Sequence, residues 1–286
     1  AVAPQISPSL LGTLTATTNA NGVATFTDLA VRGPTGDYRL SFSASGYSTV
    51  TSNVITLSSG DPDDLSTIEA LSTSIQVADP ANTSTIRVTA FDAGGNRINV
   101  GGANVVLSAT AGSIGPVTDV EDGTYTATFT GTSSLADSPV VISGTINGIA
   151  ISNTASITFT AGADSSLSIS QQPTAGSAFS GQALDTQPLV EVLDEFGNRT
   201  TSTANVTAAI SSGTGTLSGT TTVAAVDGVA TFSDLVITGA ASETYVLDFT
   251  ATSITAVASA GFSLAKAPQS ITFSYTGGAK TFGDAP

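Results

Sequence analysis

The stretch NGVATFTDLAVRGPTGDYRLSFSASG occupies positions 21–46, and a near copy, DGVATFSDLVITGAASETYVLDFTATS, occupies positions 227–253. Both begin with Asx-Gly-Val-Ala-Thr-Phe, continue with an Asp-Leu pair, and reach a tyrosine that opens an alternating run. Repetition at long spacing is the sequence signature of an array of similar structural units. The chain is therefore predicted to be a repeat protein.

Two further repeats give the length of one unit. VTAFDAGGNRI at 88–98 matches VEVLDEFGNRT at 190–200, which lies 102 positions later. ANVVLSATAG from Ala103 matches ANVTAAISSG from Ala204, and DGTYTATF from Asp122 parallels the Asx-Gly starts of the opening pair. One unit is thus about 100 residues long, which is the size of a single β-sandwich domain.

The apolar residues within each unit alternate with polar ones. In TYTATFT at 124–130, Tyr125, Ala127 and Phe129 alternate with threonines, and YRLSFSA at 38–44 shows the same period. Period-two patterning indicates antiparallel strands with one face on a core and one face in water. No segment has a sustained helical period. About seven short strands per unit, separated by turn residues, predict an all-β protein of Greek-key β-sandwiches.

Composition excludes several function classes. The chain of 286 residues has a net charge of −15, no His and no Cys. It cannot build a His-assisted nucleophile, a zinc site of the usual ligands or a disulfide. The acidic surface repels nucleic acid and anionic lipid, and the apolar runs are too short to span a bilayer. We therefore expect no enzyme activity, no nucleic-acid partner and no membrane insertion, and divalent cations are the natural partners of this surface.

The repeated D-x-x-G-N sequence predicts a specific turn. Aspartate at its first position accepts backbone N–H groups, and glycine three positions later takes a positive φ. Residues 92–96 and 194–198 are predicted to form the loop between the second and third strands of each unit. Tyr38 and Tyr245 are predicted to open the sixth strand just after the corner, a place that suits a tyrosine corner, in which the hydroxyl bonds to nearby backbone. Filling of the core is the alternative role of these two tyrosines.

These residues carry a family resemblance. VTAFDAGGNRINVGGANVVLSATAGSIGPVTDVEDGTYTATFTG, from Val88, resembles the bacterial Ig-like (Big-1) repeat of the invasin/intimin type, with its V-x-D-x-x-G-N turn and D-G-x-Y/A-T strand. Residues 167–266 are similar to related repeats of giant bacterial surface proteins, and 268–286 resemble the opening of a further repeat. The resemblance implies tandem immunoglobulin-like domains arranged as a rod, outside the cell, in which neighbouring repeats are the partners. It carries over no catalytic residue.

Repeat alignment predicts the domain boundaries. Val2 and Ile6 align with Val206 and Ile210, so residues 1–60 are expected to lack the first two strands of a unit. Complete Ig-like domains are predicted at 64–162 and 165–266, and residues 268–286 are predicted to start another. There is no initiator Met and no signal-type segment, so we expect a piece of a longer exported product.

Acidic residues cluster in the linkers and loops at one pole of each predicted sandwich. Loop and linker carboxylates of this kind can coordinate calcium and brace neighbouring domains, and the sequence predicts such an interdomain site. Its candidate ligands are Asp61, Asp63, Asp64, Asp92, Asp122, Asp164, Asp194 and Asp227. The alternative is that these residues are turn formers and solubilising charge, since no compact D-x-D-x-D-G loop is present.

The sequence favours a spacer or stalk of a bacterial surface adhesin, extending a distal binding region from the cell. One alternative is a subunit of an extracellular filament or surface layer, in which the strand at the C-terminus of one copy completes the incomplete N-terminal domain of the next. Another is a binding module whose loop pole recognises glycan or protein.

Overall fold

A computed structural model describes residues 7–77 and 83–274. Over these residues the regular structure is β-strand, with a single turn of 3₁₀ helix at Leu135–Asp137 and no α-helix. No helix in this part of the chain is long and apolar enough to cross a membrane. The chain divides into two compact units, Ala1–Gly162 and Ala163–Pro286. The predicted all-β class is confirmed.

The first unit opens with a thin segment of paired strands. Its strands are β1 Ser9–Leu11, β2 Ala30–Arg32, β3 Gly36–Tyr38, β4 Ser41–Phe42, β5 Val50–Thr51 and β6 Ile55–Leu57. β1 pairs with β2, β3 with β6 and β4 with β5, all antiparallel. Within residues 7–60 only Gly33 is buried. The alternation predicted at 38–44 holds to Ser43, but Ala44 is exposed because β4 ends at Phe42 and Ala44 begins a turn, in which its carbonyl accepts from the Tyr47 N–H at 3.1 Å.

The rest of the first unit is a two-sheet sandwich. Its strands are β7 Thr67–Ala70, β8 Ser74–Gln76, β9 Thr83–Thr89, β10 Val105–Ala109, β11 Ser113–Ile114, β12 Thr118–Asp119, β13 Thr124–Thr130, β14 Val140–Ile146, β15 Ile149–Ala150 and β16 Ala155–Thr160. One sheet has the order β11-β13-β9-β7, with β12 also on β13. The other has the order β10-β14-β16-β8, with β15 also on β14.

The first strand of this sandwich is split between the two sheets. β7 pairs antiparallel with β9, whereas β8 pairs parallel with β16. One interrupted strand therefore supplies an edge strand to each of the two sheets. This sandwich has ten strand segments, whereas the sequence predicted about seven strands. The number is higher because the interrupted strand counts as two segments and the two-residue strands β11, β12 and β15 are counted separately.

The core of the sandwich comes from the inward residues of both sheets. Tyr125, Ala127 and Phe129 on β13 are buried, as the alternation predicted, and the phenyl rings of Phe129 and Phe159 stack with centroids 6.4 Å apart. Ile86 and Ile157 are fully buried. Burial of apolar area at about 25 cal/mol per Å² is the main stabilising term of such a core.

The second unit has its own strands and its own core. The strands are β17 Ser166–Gln171, β18 Leu189–Leu193, β19 Asn205–Ser212, β20 Gly215–Ser218, β21 Thr222–Ala224, β22 Val229–Thr231, β23 Val236–Gly239, β24 Val246–Ala251 and β25 Ile254–Ala258. They form a sheet of order β21-β19-β24-β25-β17-β18-β22 and a β20-β23 pair. Val190, Phe232, Leu247 and Phe249 are buried in the core, and the Phe232 and Phe249 rings lie 5.4 Å apart.

Both predicted tyrosine corners are present. The Tyr38 hydroxyl donates to the Pro34 carbonyl at 2.6 Å, and the Tyr245 hydroxyl donates to the Ala240 carbonyl at 3.0 Å. Tyr245 is also fully buried, so it fills the core as well. The two roles that the sequence left open are therefore combined in one side chain.

Part of each predicted terminal segment lies outside the described residues. Val2 and Ile6, on which the alignment of residues 1–60 rests, are outside them, as are residues 275–286. Residues 268–274 are described and contain no strand. The domain boundaries at 60, 64–162, 165–266 and 268–286 stay predictions.

Candidate functional site: the joint before the first complete sandwich

The D-x-x-G-N loop at 92–96 is an Asx turn. The Asp92 Oδ1 atom accepts from the backbone N–H of Gly94 at 2.8 Å and of Asn96 at 2.9 Å. The Gly95 N–H bonds to the Asp92 carbonyl at 2.9 Å, and Gly95 has φ +77°. The predicted turn is confirmed: aspartate satisfies the loop amides, and glycine supplies the left-handed residue.

The second copy builds the same turn. Asp194 Oδ1 accepts from the N–H of Phe196 and of Asn198, both at 2.9 Å, and Gly197 has φ +83°. Asp194 is 1% exposed. The two copies therefore share their local bonds despite different residues between Asp and Gly.

In the first copy the turn also reaches back to the preceding segment. The Asn96 side-chain amide donates from Nδ2 to the Gly33 carbonyl at 3.0 Å and accepts at Oδ1 from the Thr35 N–H at 2.7 Å. Asp92 Oδ2 accepts from the Gly60 N–H at 2.8 Å. We call this set of contacts between residues 32–60 and the 92–96 turn the joint.

The joint buries its polar groups. Asp92 is 5% exposed and Asn96 is 8% exposed. Burial by itself raises the pKa of the Asp92 carboxyl, but the N–H donors of Gly60, Asn96 and Gly94 outweigh burial, so that this pKa lies below its usual value. A carboxylate that accepts several N–H bonds is held in its charged form.

An open groove of about 440 Å³ runs along the joint. Asp61, Asp63 and Asp92 line it, together with Arg32, whose guanidinium donates to the Ala93 carbonyl. A second groove of about 220 Å³ brings the linker at Asp61 beside the Asn147 turn. The linker, the 92–96 turn and the Asn147 turn thus meet at one pole of the sandwich.

The other predicted carboxylates lie apart and bond locally. Asp64 Oδ2 accepts from the Ser152 hydroxyl at 3.1 Å. Asp122 Oδ1 accepts from the Thr124 N–H at 3.0 Å, and a carboxylate oxygen of Asp122 lies 3.5 Å from the Arg97 guanidinium. The Thr124 hydroxyl and N–H bonds lower the pKa of Asp122.

In the second unit the predicted ligands also have separate surroundings. Asp164 accepts from the Ser202 hydroxyl. Asp227 is exposed, with φ +48° in its turn. Among the residues that the structure describes, no three acidic side chains converge on a point that could hold a metal ion. Calcium stays a prediction of the sequence.

The sequence interpretation missed what Asn96 does across the joint. In both copies the asparagine Nδ2 group bonds to the aspartate of its own turn, Asn96 to Asp92 and Asn198 to Asp194, so the repeated asparagine did not signal a further partner. Gly33 and Thr35 gave no signal, because they contribute only backbone atoms. The pairing of both residues, and the burial of Gly33, depend on what the fold places opposite them.

Comparisons with known proteins add the following. Residues 63–162 match the family model described as invasin, domain 3. No curated protein sequence matches the chain.

Among solved structures, the Yersinia pseudotuberculosis adhesin InvE matches at 20% identity and TM-score 0.37, over 72% of this chain and 60% of that one. Invasin, titled a bacterial integrin-binding protein, matches at 20% identity and TM-score 0.47, over 86% and 49%. Yersinia pseudotuberculosis InvD matches at 22% identity and TM-score 0.43, over 70% and 57%. The chain thus spans about half to three fifths of these three chains.

Proposed function

We propose that this chain, whose residues 63–162 match the invasin domain 3 family model, is a structural part of an adhesin-type protein on the outer surface of a bacterial cell. Its role there is that of a spacer, which holds a distal binding region away from the cell. The joint is the observation that carries the proposal.

The joint supports a spacer role because it restrains the linker. The linker Gly60–Asp63 is bonded to the sandwich at both ends: Gly60 N–H to Asp92 Oδ2 at 2.8 Å, and Asp63 N–H to the Phe91 carbonyl at 2.8 Å. A linker whose backbone is bonded to the next domain cannot act as a free hinge. A spacer needs this property, since a freely jointed chain gains reach only slowly with length.

Small-angle scattering tests the spacer role. We compare the full chain with a variant in which residues 60–162 are duplicated in tandem. A stiff spacer should gain roughly 40 Å in maximum dimension, about ten residues of strand at ~3.3 Å each plus end loops. A gain of only a few ångströms, or a compact particle, would contradict the proposal.

We further propose that the chain has no catalytic activity. It contains no His and no Cys. Asp61, Asp63 and Asp92 lie along an open groove rather than on opposite walls of a closed cleft. Glycoside hydrolysis, the chemistry that paired carboxylates suggest, needs two acids that flank a bound sugar.

The proposed spacer role implies neither receptor binding nor self-assembly. Integrin binding is stated for invasin, of whose chain the match spans 49%, and we do not extend it to this chain. Assembly into a filament or surface layer requires concentration-dependent polymers in electron micrographs. Binding of glycan or protein at the loop pole requires affinity that disappears when the loop carboxylates are changed to Ala.

Thermal melting tests the predicted calcium site at the linker. If Asp61, Asp63 and their neighbours bind calcium, added Ca²⁺ should raise the melting temperature and a chelator should reverse the rise, because a ligand of the native state stabilises it by mass action. Identical melting curves with Ca²⁺ and with chelator would contradict the prediction.

A further inference from the structure

The joint has a two-point contact that is specific in geometry. Asn96 contacts both Gly33 and Thr35, donating to the carbonyl of one and accepting from the N–H of the other, at 3.0 and 2.7 Å. A primary amide that donates and accepts along one backbone segment fixes both distance and orientation, as a strand neighbour would. Asn96 therefore docks one particular loop, residues 33–35.

The docked loop is also bonded by the tyrosine corner. Pro34 lies between the two contacted residues, and its carbonyl accepts the Tyr38 hydroxyl at 2.6 Å. The tyrosine corner thus shapes the segment that Asn96 contacts. Gly33 is the buried residue of the 7–60 range, which fits its place at the contact.

Asn96 is positioned from the other side by Asp92. Its Nδ2 group lies 3.1 Å from Asp92 Oδ1 and 3.0 Å from Asp92 Oδ2. Since the carboxylate can only accept, it fixes which end of the amide donates. The amide therefore presents Nδ2 to the Gly33 carbonyl and Oδ1 to the Thr35 N–H.

Gly94 makes room for this contact. A Cβ atom at Gly94 would lie 2.9 Å from the Gly33 carbonyl oxygen and 2.8 Å from Asn96 Nδ2. Its φ is outside the left-handed range, so no backbone requirement of the turn explains the glycine. The second copy supports this point, because Phe196 stands at the equivalent position and donates the same turn bond to Asp194 at 2.9 Å.

We infer that the residue two positions after the aspartate of the D-x-x-G-N turn determines whether the turn can dock the 33–35 loop, and that Gly94 with Asn96 forms the docking surface for this loop. The turn then has two separable functions, reversing its own chain and holding the preceding repeat. The inference rests on the proposed spacer role for its biological meaning, but the contacts are tested independently of it.

Amide hydrogen exchange on the full chain tests the inference, with the Thr35 amide as reporter. In the unmodified protein this amide should be protected. In Gly94→Ala it should exchange about tenfold faster, the factor that the loss of one hydrogen bond of ordinary strength gives. In Gly94→Phe its protection should be lost. The backbone amides of the central strand β9 should stay protected in both variants. The backbone amide of Asn96, which donates to Asp92 Oδ1, should stay protected as well.

Gly115→Ala is the matched control in the same sandwich. A Cβ there would approach nothing closer than the Thr128 carbonyl oxygen at 3.5 Å, an ordinary contact. It should leave the Thr35 amide unchanged. Phe at position 94 is compatible with the turn, as the second copy shows, so protection of β9 and Asn96 is expected and reports an intact sandwich.

Three results would overturn the inference. A Thr35 amide that exchanges freely in the unmodified protein while β9 is protected means that the joint does not form. Unchanged Thr35 exchange in Gly94→Phe means that position 94 does not control docking. Equal acceleration at Thr35 and in β9 means that Gly94 supports the fold rather than the joint. Failure of the spacer proposal would show instead in the scattering of the duplicated chain, whatever the Thr35 amide does.

Discussion

Asp92→Asn should destabilise the first unit by about 3 kcal/mol. The substitution replaces one carboxylate oxygen by an NH₂ group and leaves the side chain the same size, so it isolates hydrogen bonding from packing. Asp92 is 5% exposed, and its two oxygens share Asn96 Nδ2 but accept from different backbone N–H groups. Oδ1 serves the turn, and Oδ2 serves the joint.

The magnitude follows from these bonds. If the asparagine carbonyl keeps the place of Oδ1, the Gly94 and Asn96 N–H bonds at 2.8 and 2.9 Å survive. The new NH₂ group then faces the Gly60 N–H and Asn96 Nδ2, which donate to Oδ2 at 2.8 and 3.0 Å. The Gly60 N–H would lose its acceptor, whereas Asn96 Nδ2 keeps Oδ1 at 3.1 Å. The lost bond to a charged acceptor contributes about 1.5–3 kcal/mol, and the remaining bonds weaken because their acceptor is now neutral, so about 3 kcal/mol is expected.

Urea denaturation followed by circular dichroism measures the effect. With a slope near 2 kcal/mol per M, a loss of ~3 kcal/mol lowers the midpoint of this unit by about 1.5 M. Asp122→Asn is the control, because its side chain is 56% exposed and its Oδ1 bonds within its own turn. The control should shift the midpoint far less. Equal shifts in the two variants would refute the assignment of Oδ2 to the joint.

Three further predictions concern the same two units. Because the pKa of Asp92 is lowered from 3.8, its contribution to stability should be present at neutral pH and lost as the pH falls through that lowered value; acid titration of the urea midpoint should show this loss, and Asp92→Asn should flatten it. Tyr245→Phe removes the bond to the Ala240 carbonyl and should cost about 1 kcal/mol, whereas an unchanged midpoint would mean that the hydroxyl only fills space. Phe129→Ala empties a fully buried site and should cost about 3–5 kcal/mol in calorimetry, a loss that an exposed phenylalanine would not show.

The parts of the fold that the sequence predicts correctly are local. Burial on alternate positions places Tyr125 and Phe129 inside because the side-chain period of a strand is two. The turn at 92–96 follows from the preferences of aspartate and glycine alone. The tyrosine corner at Tyr38 closes over four residues. Each of these features is decided within a few positions of chain.

The parts that the sequence does not predict depend on distant partners. The strand that splits into β7 and β8, TIEALSTSIQ at 67–76, contains no Gly or Pro that would mark a break, and its division is set by β9 and β16 in opposite sheets. The spacing of carboxylates does not reveal whether each will meet an N–H donor or a cation. Asp92 and Asn96 meet partners 32 and 63 positions away, which no local pattern specifies.

The division of labour within Asp92 explains how one turn can serve two purposes. Its Oδ1 bonds involve residues two and four positions away and can form as soon as the loop closes. Its Oδ2 bond to Gly60 and the contacts of Asn96 require the preceding segment to be in place. The second copy keeps the Oδ1 bonds around Phe196. Because the local bonds do not depend on the residue at that position, a repeat can change the joint that it accepts without losing the turn that its own sandwich needs.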